Sequence, residues 1–428
     1  MNEIYVKNQQ LIKQRWPEIW SSLECSRDIE IPVEVIEGHV PTLRVGGIDL
    51  GSRYDPVSEA ITQTEVISAG EPEVWLYGIG MGYVPRLLLE REVLQSLHVV
   101  ILNSAIFHYC LQYLDHGDWL DDERVKLHLG VDEKDYNQPF CVIPPMLELV
   151  EDKAARLRDL IVLELNASFI RERHDAKSDI LSKKIESIKE YYQADADVSD
   201  LKKINDQEVL LVAAGPSLDQ QLQLIKDRAD RGCVIAVDAA MRPLLSSGII
   251  PDYVVTIDDA DHNIEKYFQG DLSGLSESVL VYFPVVSRKV LDIWPGKRVM
   301  AYGSGRIYDG LARSHPGAKL YSAGSVFHVA VDLAVKLGAF RMLLFGADFS
   351  FPRDKYYASG VSREVSPADY GQGDAWVFNS KGEKVLSQKN LVGYLRDLEK
   401  YISLHGHVEF INAGYDGAMI EGASYLAD

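Results

Sequence analysis

One turn in the chain carries residue types that suit the binding of a phosphate group. A hydrophobic run at residues 209–212 leads into Gly215, Pro216 and Ser217, and a helical pattern follows. Glycine lets the backbone approach a ligand closely, proline makes the turn rigid, and a helix N-terminus offers free N–H donors. We therefore predict that this turn faces an anionic group and that Ser217 caps the helix.

Carboxylates stand at the ends of the next two hydrophobic runs. Asp238 ends the run at residues 234–237, and Asp258 and Asp259 end the run at residues 253–257. Because the carboxyl ends of parallel strands meet at one edge of a sheet, these side chains should share a crevice with the glycine turn. They could accept a hydroxyl proton or bind Mg²⁺. Turn chemistry alone explains glycine and serine in one turn, but matched strand ends favour a ligand site.

A second glycine-serine turn begins a helix later in the chain. Ser322, Gly324 and Ser325 precede apolar residues that recur with helical spacing over residues 326–337, and the next strand leads to Asp348. We predict that Ser322 and Ser325 form hydrogen bonds with a nucleotide or with a sugar carboxylate.

The N-terminal region has its own strand, glycine turn and helix. Gly78, Gly80 and Gly82 follow a hydrophobic run, and a second strand is predicted to end at Asn103. In the dinucleotide-binding pattern a third glycine would replace Tyr83, and an acidic residue in place of Asn103 would bind a ribose. The sequence therefore favours a scaffold or acceptor-docking role here over an intact cofactor site.

These elements predict an α/β protein with two Rossmann-like domains. Residues 1–147 form a smaller α/β domain, and residues 206–428 form a central and C-terminal domain with a mostly parallel sheet. Residues 148–205 contain neither glycine nor proline, so we predict a helical connector there.

Composition restricts the classes of function. The 428 residues carry a net charge of −20, which argues against a nucleic-acid partner. No apolar run approaches the about 18 residues that a membrane span needs, and the N-terminus lacks the apolar core of a signal peptide. Four scattered cysteines show no metal-ligand spacing: Cys25, Cys110, Cys141 and Cys233. We expect a reduced, cytoplasmic protein.

Four segments resemble the bacterial motility accessory factor family, whose members look like glycosyltransferases that attach nonulosonic acids to flagellin. They are the AGPSL turn at residues 214–218 and residues 236–258, 321–351 and 408–424. The same domain family includes an archaeal 6-hydroxymethylpterin diphosphokinase, and its fold resembles that of bacterial sialyltransferases. The resemblance covers the chain from about residue 200 to the C-terminus and the N-terminal part more loosely.

The resemblance implies that a CMP-linked nonulosonic acid binds across the strand ends and is transferred to a serine or threonine of flagellin. It implies no metal or further cofactor. The related sialyltransferases use a histidine base, but no histidine here lies in a matching motif. Asp258, Asp348 and His262 are therefore the candidate catalytic residues, and His315 is a further candidate. The implied donor-binding residues are Gly215, Pro216, Ser217, Asp238, Asn263, Ser322, Gly324, Ser325, Tyr356, Tyr357 and Asn412.

Two alternatives stay open. In a pterin diphosphokinase, Asp258, Asp259 and Asp261 would hold Mg²⁺ against the phosphates of ATP, although the chain has no Walker-type P-loop. In a non-catalytic assembly factor, a degenerate nucleotide fold would hold flagellin.

Overall fold

The computed structural model forms two compact units, Met1–Asn166 and Ala167–Asp428. It describes residues 3–26, 29–131, 133–176, 178–204, 208–261, 266–361 and 375–426. No helix among these residues is both long and apolar enough to cross a membrane.

The first unit is built on a four-stranded parallel sheet of order β6-β5-β4-β7. A small antiparallel sheet of β1, β2 and β3 precedes it in the sequence. Its elements are α1 Glu3–Arg15, α2 Pro17–Glu24, β1 Val33–Ile36, β2 Thr42–Val45, β3 Ile48–Asp49, α3 Pro56–Thr64, β4 Glu73–Tyr77, α4 Tyr83–Leu89, β5 Ser96–Ile101, α5 Ser104–Tyr113, α6 Gly117–Leu120, β6 Val125–Leu129, β7 Phe140–Val142, α7 Pro144–Glu148 and the start of α8 Ala155–Ala176.

The predicted strand, glycine turn and helix of this unit are confirmed by β4 and α4. Gly78, Gly80 and Gly82 all have positive φ, which explains why the turn uses glycine. The prediction that a strand ends at Asn103 is wrong, because β5 ends at Ile101. Asn103 instead caps α5, and its Oδ1 accepts a hydrogen bond from the Ile106 N–H over 3.0 Å.

The second unit is built on a nine-stranded sheet. Its elements are α9 Ser178–Ser187, α10 Lys189–Ala194, β8 Ala196–Asp197, β9 Val209–Val212, α11 Leu218–Ala229, β10 Cys233–Val237, α12 Met241–Ser246, β11 Tyr253–Thr256, β12 Val279–Tyr282, α13 Arg288–Ile293, β13 Arg298–Met300, α14 Asp309–Ser314, α15 Val326–Lys336, β14 Arg341–Phe345, β15 Ala375–Phe378, β16 Lys384–Ser387, α16 Lys389–Leu404, β17 Glu409–Asn412 and β18 Ser424–Tyr425. Short 3₁₀ turns lie at Glu133–Asp135, Asp152–Ala154, Val198–Asp200, Asp238–Ala240, Ser273–Leu275, Arg306–Tyr308, Pro316–Ala318 and Pro352–Asp354.

The large sheet has the order β18-β17-β14-β9-β10-β11-β12-β13-β8, and its neighbouring strands pair in parallel. This confirms the predicted mostly parallel, Rossmann-like sheet. From β9 the chain adds β10 to β13 on one side, and β14 then pairs with the other side of β9. The order in which strands are added to the sheet therefore reverses between β9 and β14. Open α/β sheets bind ligands beside such a switch point.

The core of the second unit explains its hydrophobic runs. All four residues of β9 have no exposed surface, as expected for a parallel strand covered on both faces. Leu181, Ile185, Ile188 and Tyr192 belong to the same core. In addition, β8 pairs with β13. Residues 178–204, which lie in the segment predicted as a connector, therefore contribute to the second unit.

Candidate functional site

Asp348 connects the turn after β14 to the turn after β9, at the place where the strand order of the large sheet reverses. Its Oδ2 accepts a hydrogen bond from the Ser217 N–H over 2.8 Å, and the residue is buried. Burial raises the pKa of Asp348 to about 6, while the bond from Ser217 opposes this shift. The carboxylate thus lies at the start of α11, where we predicted an external anion.

Two glycines make room for this carboxylate. A Cβ atom on Gly215 would lie 2.4 Å from Asp348 Oδ2 and 2.4 Å from the Gly346 carbonyl oxygen. A Cβ atom on Gly417 would lie 2.5 Å from Asp348 Oδ1. The close approach that we predicted at Gly215 is therefore made by a side chain of the protein itself.

The prediction that Ser217 caps α11 through its hydroxyl is wrong. Ser217 has helical backbone angles, φ −64° and ψ −21°, and its side chain makes no capping hydrogen bond. An N-cap residue needs an extended backbone to bring its oxygen back to the helix start, so Ser217 lies too far into the turn. Pro216 and Ser217 are both buried at this junction.

Asn412 shapes a third turn beside Ser217. It ends β17, is buried, and its Oδ1 accepts a hydrogen bond from the Gly414 N–H over 2.9 Å. A Cβ atom on Gly414 would lie 3.4 Å from Ser217 Oγ. The structure therefore brings Asn412, Ser217 and Asp348 to one end of the sheet.

Tyr356 and Tyr357 lie in a loop that packs against the start of α11. The Ala358 N–H donates to the Ala214 carbonyl over 2.9 Å, and the Ser359 N–H donates to Asp219 Oδ1 over 2.7 Å. The rings of Tyr356 and Tyr357 are 4.7 Å apart and half-buried. These contacts place both tyrosines near the Gly215 turn.

A second group of acidic residues lies at the ends of β10 and β11. Asp238 is buried, and its carboxylate accepts hydrogen bonds from Thr256 Oγ1 over 2.8 Å and from the Ala239 N–H over 2.7 Å. Burial raises the pKa of Asp238 to about 7, and the nearby charge of Asp258 adds to the rise. Asp258 itself is exposed, and its Oδ1 accepts a hydrogen bond from the Ala260 N–H over 3.0 Å.

The turn before α15 is the predicted helix start. Ser325 is the N-cap, and its Oγ accepts a hydrogen bond from the Phe327 N–H over 3.3 Å. Gly324 has φ of +77°, so the backbone bends sharply into the helix. A Cβ atom on Gly303 would lie 3.0 Å from Ser322 Oγ, so the turn after β13 touches this helix start.

Tyr394 and His328 adjoin this turn, and the sequence did not identify them. A Cβ atom on Gly324 would lie 3.4 Å from Tyr394 Cε1. Burial raises the pKa of Tyr394, and the charge of Asp258 raises it further, so the phenol lies within the field of that carboxylate. His328 Nε2 lies 3.0 Å from the Tyr394 carbonyl oxygen. Both residues lie in apolar helical patterns, which indicate core packing and hide a polar role.

The three acids predicted to hold Mg²⁺, Asp258, Asp259 and Asp261, do not converge on one point. Lys184 Nζ lies 2.6 Å from Asp261 Oδ1 and also donates to the Asp259 carbonyl oxygen. Among residues that the structure describes, no group of three acidic, histidine or cysteine side chains is placed to hold a metal ion. His262 and Asn263 lie outside the described residues.

His315 ends α14, away from any motif of the resemblance. Its Nδ1 lies 2.8 Å from Ser314 Oγ. Within the described part of the chain, no hydrogen bond or ion pair joins the His315 side chain to Asp238, Asp258, Asp259 or Asp261. A catalytic role for His315 or Asp348 stays a prediction.

The glycine turn of the first unit is filled by the chain itself. A Cβ atom on Gly78 would lie 2.6 Å from Met146, and one on Gly80 would lie 2.8 Å from the Leu50 carbonyl oxygen. The His116 ring lies 2.7 Å from the Cβ position of Gly82. Packing within the first unit therefore explains why all three residues of this turn are glycine.

A family model matches part of the second unit. Residues 182–354 match the family described as 6-hydroxymethylpterin diphosphokinase MptE-like, which confirms the resemblance to that domain over this segment. A 6-hydroxymethyl-7,8-dihydropterin pyrophosphokinase from Methanothermobacter thermautotrophicus is 28% identical over 162 residues, or 37% of this chain. The chain spans 65% of the length of that relative.

A solved structure of a MAf glycosyltransferase from Magnetospirillum magneticum AMB-1 is also similar. The match covers 99% of this chain and 74% of that chain, with 17% sequence identity and a TM-score of 0.49.

Proposed function

We propose that the second unit is a glycosyltransferase that moves a nonulosonic acid from a CMP-sugar to a serine or threonine hydroxyl of flagellin. The observation that carries the proposal is the position of the Tyr394 ring beside the glycine-serine start of α15, within the field of the exposed Asp258 carboxylate. A proton acceptor, a phenol donor and an anion-binding helix start are the groups that this transfer needs.

The start of α15 supports binding of the donor's negative charge. The first N–H groups of a helix have no partner within the helix, and the helix dipole favours an anion there. Ser322 Oγ adds a donor at the same place, and Gly324 leaves the approach open because it is exposed. We assign the phosphate of CMP, or the carboxylate of the sugar, to this turn.

Asp258 and Tyr394 support the chemical step. The acceptor oxygen bonds to the anomeric carbon, and the bond from that carbon to the phosphate oxygen breaks with its electron pair. The hydroxyl proton passes to Asp258, which is exposed and can reach an acceptor. Tyr394 is protonated near neutral pH, as tyrosines ordinarily are, so its hydroxyl can donate a hydrogen bond to the leaving phosphate.

The MptE-like match favours a second candidate, a Mg²⁺-dependent pterin diphosphokinase. In that case Asp258 and Asp259 would hold Mg²⁺ together with the phosphates of ATP, since magnesium usually keeps only a few protein ligands. The pairing of Asp261 with Lys184 weighs against a three-carboxylate site in the described residues.

Calorimetric titration with CMP and with ATP, each with and without Mg²⁺, separates these functions. We expect CMP to bind without magnesium, and we expect CMP-N-acetylneuraminic acid to add one sugar mass to purified flagellin. Asp258→Asn should lower transfer by at least about a hundredfold. The matched control is Asp230→Asn, which removes an exposed carboxylate at the far end of α11.

Three results contradict the proposal. Magnesium-dependent binding of ATP, with transfer of a diphosphate group to the pterin and release of AMP, would assign the diphosphokinase. Binding of flagellin without any transfer would assign a non-catalytic assembly factor. Full transfer activity in a folded Asp258→Asn variant would remove Asp258 as the base.

A further inference from the structure

Lys184 reaches the loop that carries Asp258 from a separate helix. It lies on α9, whose side chains Leu181 and Ile185 are buried in the core of the second unit. Its ammonium group donates to Asp261 Oδ1 over 2.6 Å and to the carbonyl oxygen of Asp259. The neighbours Leu181 and Ile185 fix the helix, so the position of Lys184 is set by core packing.

The loop of residues 258–261 is thereby held at two places. Within the loop, Asp258 Oδ1 accepts a hydrogen bond from the Ala260 N–H over 3.0 Å. From outside, Lys184 binds the residues on either side of Ala260. A charge-assisted bond to a backbone carbonyl restrains the main chain itself and not only a side chain.

The negative charge around residues 258–261 gives the Lys184 ammonium group a second role beside its hydrogen bonds. Four carboxylates lie on β10, β11 and the loop after them: Asp238, Asp258, Asp259 and Asp261. A CMP-sugar brings further negative charge to the same strand ends. The Lys184 side chain is 24% exposed, so its field acts partly through protein and is screened less than that of a surface lysine.

We propose that Lys184 is a positioning residue, which holds residues 258–261 so that Asp258 meets the acceptor hydroxyl. This inference rests on the transfer function proposed above. It makes α9, a helix outside the predicted nucleotide domain at residues 206–428, a part of the catalytic apparatus of the second unit.

The test compares three variants of the full chain: Lys184→Met, Lys184→Arg and Lys183→Met. Lys183 is the exposed neighbour on the same helix, so its replacement makes the same change in charge without touching the loop. Hydrogen exchange of the Ala260 amide, measured without substrate, shows how often the loop of residues 258–261 opens. The kinetics of transfer report kcat and KM for the acceptor.

We expect the Lys184→Met change to speed exchange of the Ala260 amide about tenfold and to lower kcat about tenfold, because a charge-assisted bond is lost. Lys184→Arg should recover most of both effects, and Lys183→Met should match the unmodified protein. A lower kcat at unchanged KM separates positioning of the base from loss of acceptor binding.

The two proposals fail in different ways. Unchanged exchange at Ala260 in a folded Lys184→Met protein would overturn the role of Lys184. Faster exchange with normal kcat would also overturn it, because the loop would then move without consequence for transfer. If the unmodified protein transfers no sugar, the proposed function fails, while faster exchange would still support the hold of Lys184 on the loop.

Discussion

The Ser217 N–H donates a hydrogen bond to the Asp348 carboxylate, and this bond joins the turns that follow β9 and β14. The two residues are 131 positions apart in the chain. The start of α11 therefore receives an anion from the protein itself, and the helix dipole stabilises that carboxylate. The end of β11 at exposed Asp258 and the start of α15 at exposed Gly324 are more accessible to an external ligand.

The space beside Asp348 predicts a strong effect of Gly417→Ala. The new Cβ would lie 2.5 Å from Asp348 Oδ1 and 2.7 Å from its Cα, so the backbone must shift. We expect the free energy of unfolding of the second unit to fall by about 2 kcal/mol or more in urea denaturation.

Gly310→Ala is the matched control for this effect. Gly310 lies in α14 with no atom within 4 Å of its Cβ position. Alanine in a helix with free space should raise the free energy of unfolding by about 0.5 kcal/mol. Equal stability of the two variants would mean that the turn at Asp348 can rearrange.

The buried Asp238 predicts a dependence of stability on pH. Its folded pKa of about 7 lies above the unfolded value of 3.8, so the folded state binds more protons between these values. The contribution to stability is present below the unfolded pKa and is lost as the pH rises through about 7. Asp238→Asn mimics the protonated acid, since its oxygen can accept from Ala239 and its amide can donate to Thr256.

We therefore expect Asp238→Asn to gain stability relative to the unmodified protein as the pH rises. Between about pH 4 and about pH 8 the difference in unfolding free energy should grow by on the order of 3 kcal/mol. Urea denaturation at both pH values measures it, with the exposed Asp230→Asn variant as a control. A difference that does not change with pH would show that Asp238 is ionised throughout.

Local patterns were sufficient to predict several elements of both units but not the contacts between distant turns. The glycine turns, the α15 start and the parallel sheet follow from periodicity and from turn residues. The contact of Ser217 with Asp348 has no local signature, because it forms only when β14 pairs with β9. The predicted cap at Ser217 fails because its backbone has helical angles, which the residue types of the turn do not reveal.

The residues missed at the site have a related explanation. Tyr394 lies on an amphipathic helix, and its face toward Gly324 depends on how α16 packs against the turn before α15. His328 lies within an apolar run and is buried. In the first unit, the contacts of Met146 and Leu50 with the glycine turn likewise depend on packing between segments that are distant in the chain.

A histidine pair predicts that the first unit loses stability in acid. His98 Nδ1 lies 2.9 Å from His128 Nε2, and the His98 ring stacks on Trp75 with centroids 4.1 Å apart. Burial lowers the pKa of both histidines, while Glu73 opposes this for His98 and Asp135 for His128. Lys126 lowers both pKa values further.

Because the folded pKa values lie below the unfolded value of 6.5, the unfolded state takes up protons first as the pH falls. Between about pH 7.5 and about pH 5.5, we expect the unfolding free energy of the first unit to fall by up to about 1 kcal/mol. His128→Gln should weaken this dependence in denaturation followed by tryptophan fluorescence. An equal dependence in that variant would assign it to other groups.

Tyr394→Phe separates the chemistry of the site from its packing. The substitution keeps the ring beside Gly324 and removes only the hydroxyl. If that hydroxyl donates to the leaving phosphate, kcat for sugar transfer should fall by about tenfold to a hundredfold. The free energy of unfolding should change little, because the phenylalanine ring fills the same space.

Tyr401→Phe on the same helix should give the opposite pattern. The Tyr401 hydroxyl donates to Asp332 Oδ1 over 2.6 Å, so its loss leaves a carboxylate without that bond and lowers stability by about 1 kcal/mol. Its kcat should stay near that of the unmodified protein, because Asp332 is not part of the acidic strand ends. If both variants lost activity equally, Tyr394 would act only by packing α16, and the leaving phosphate would need another donor.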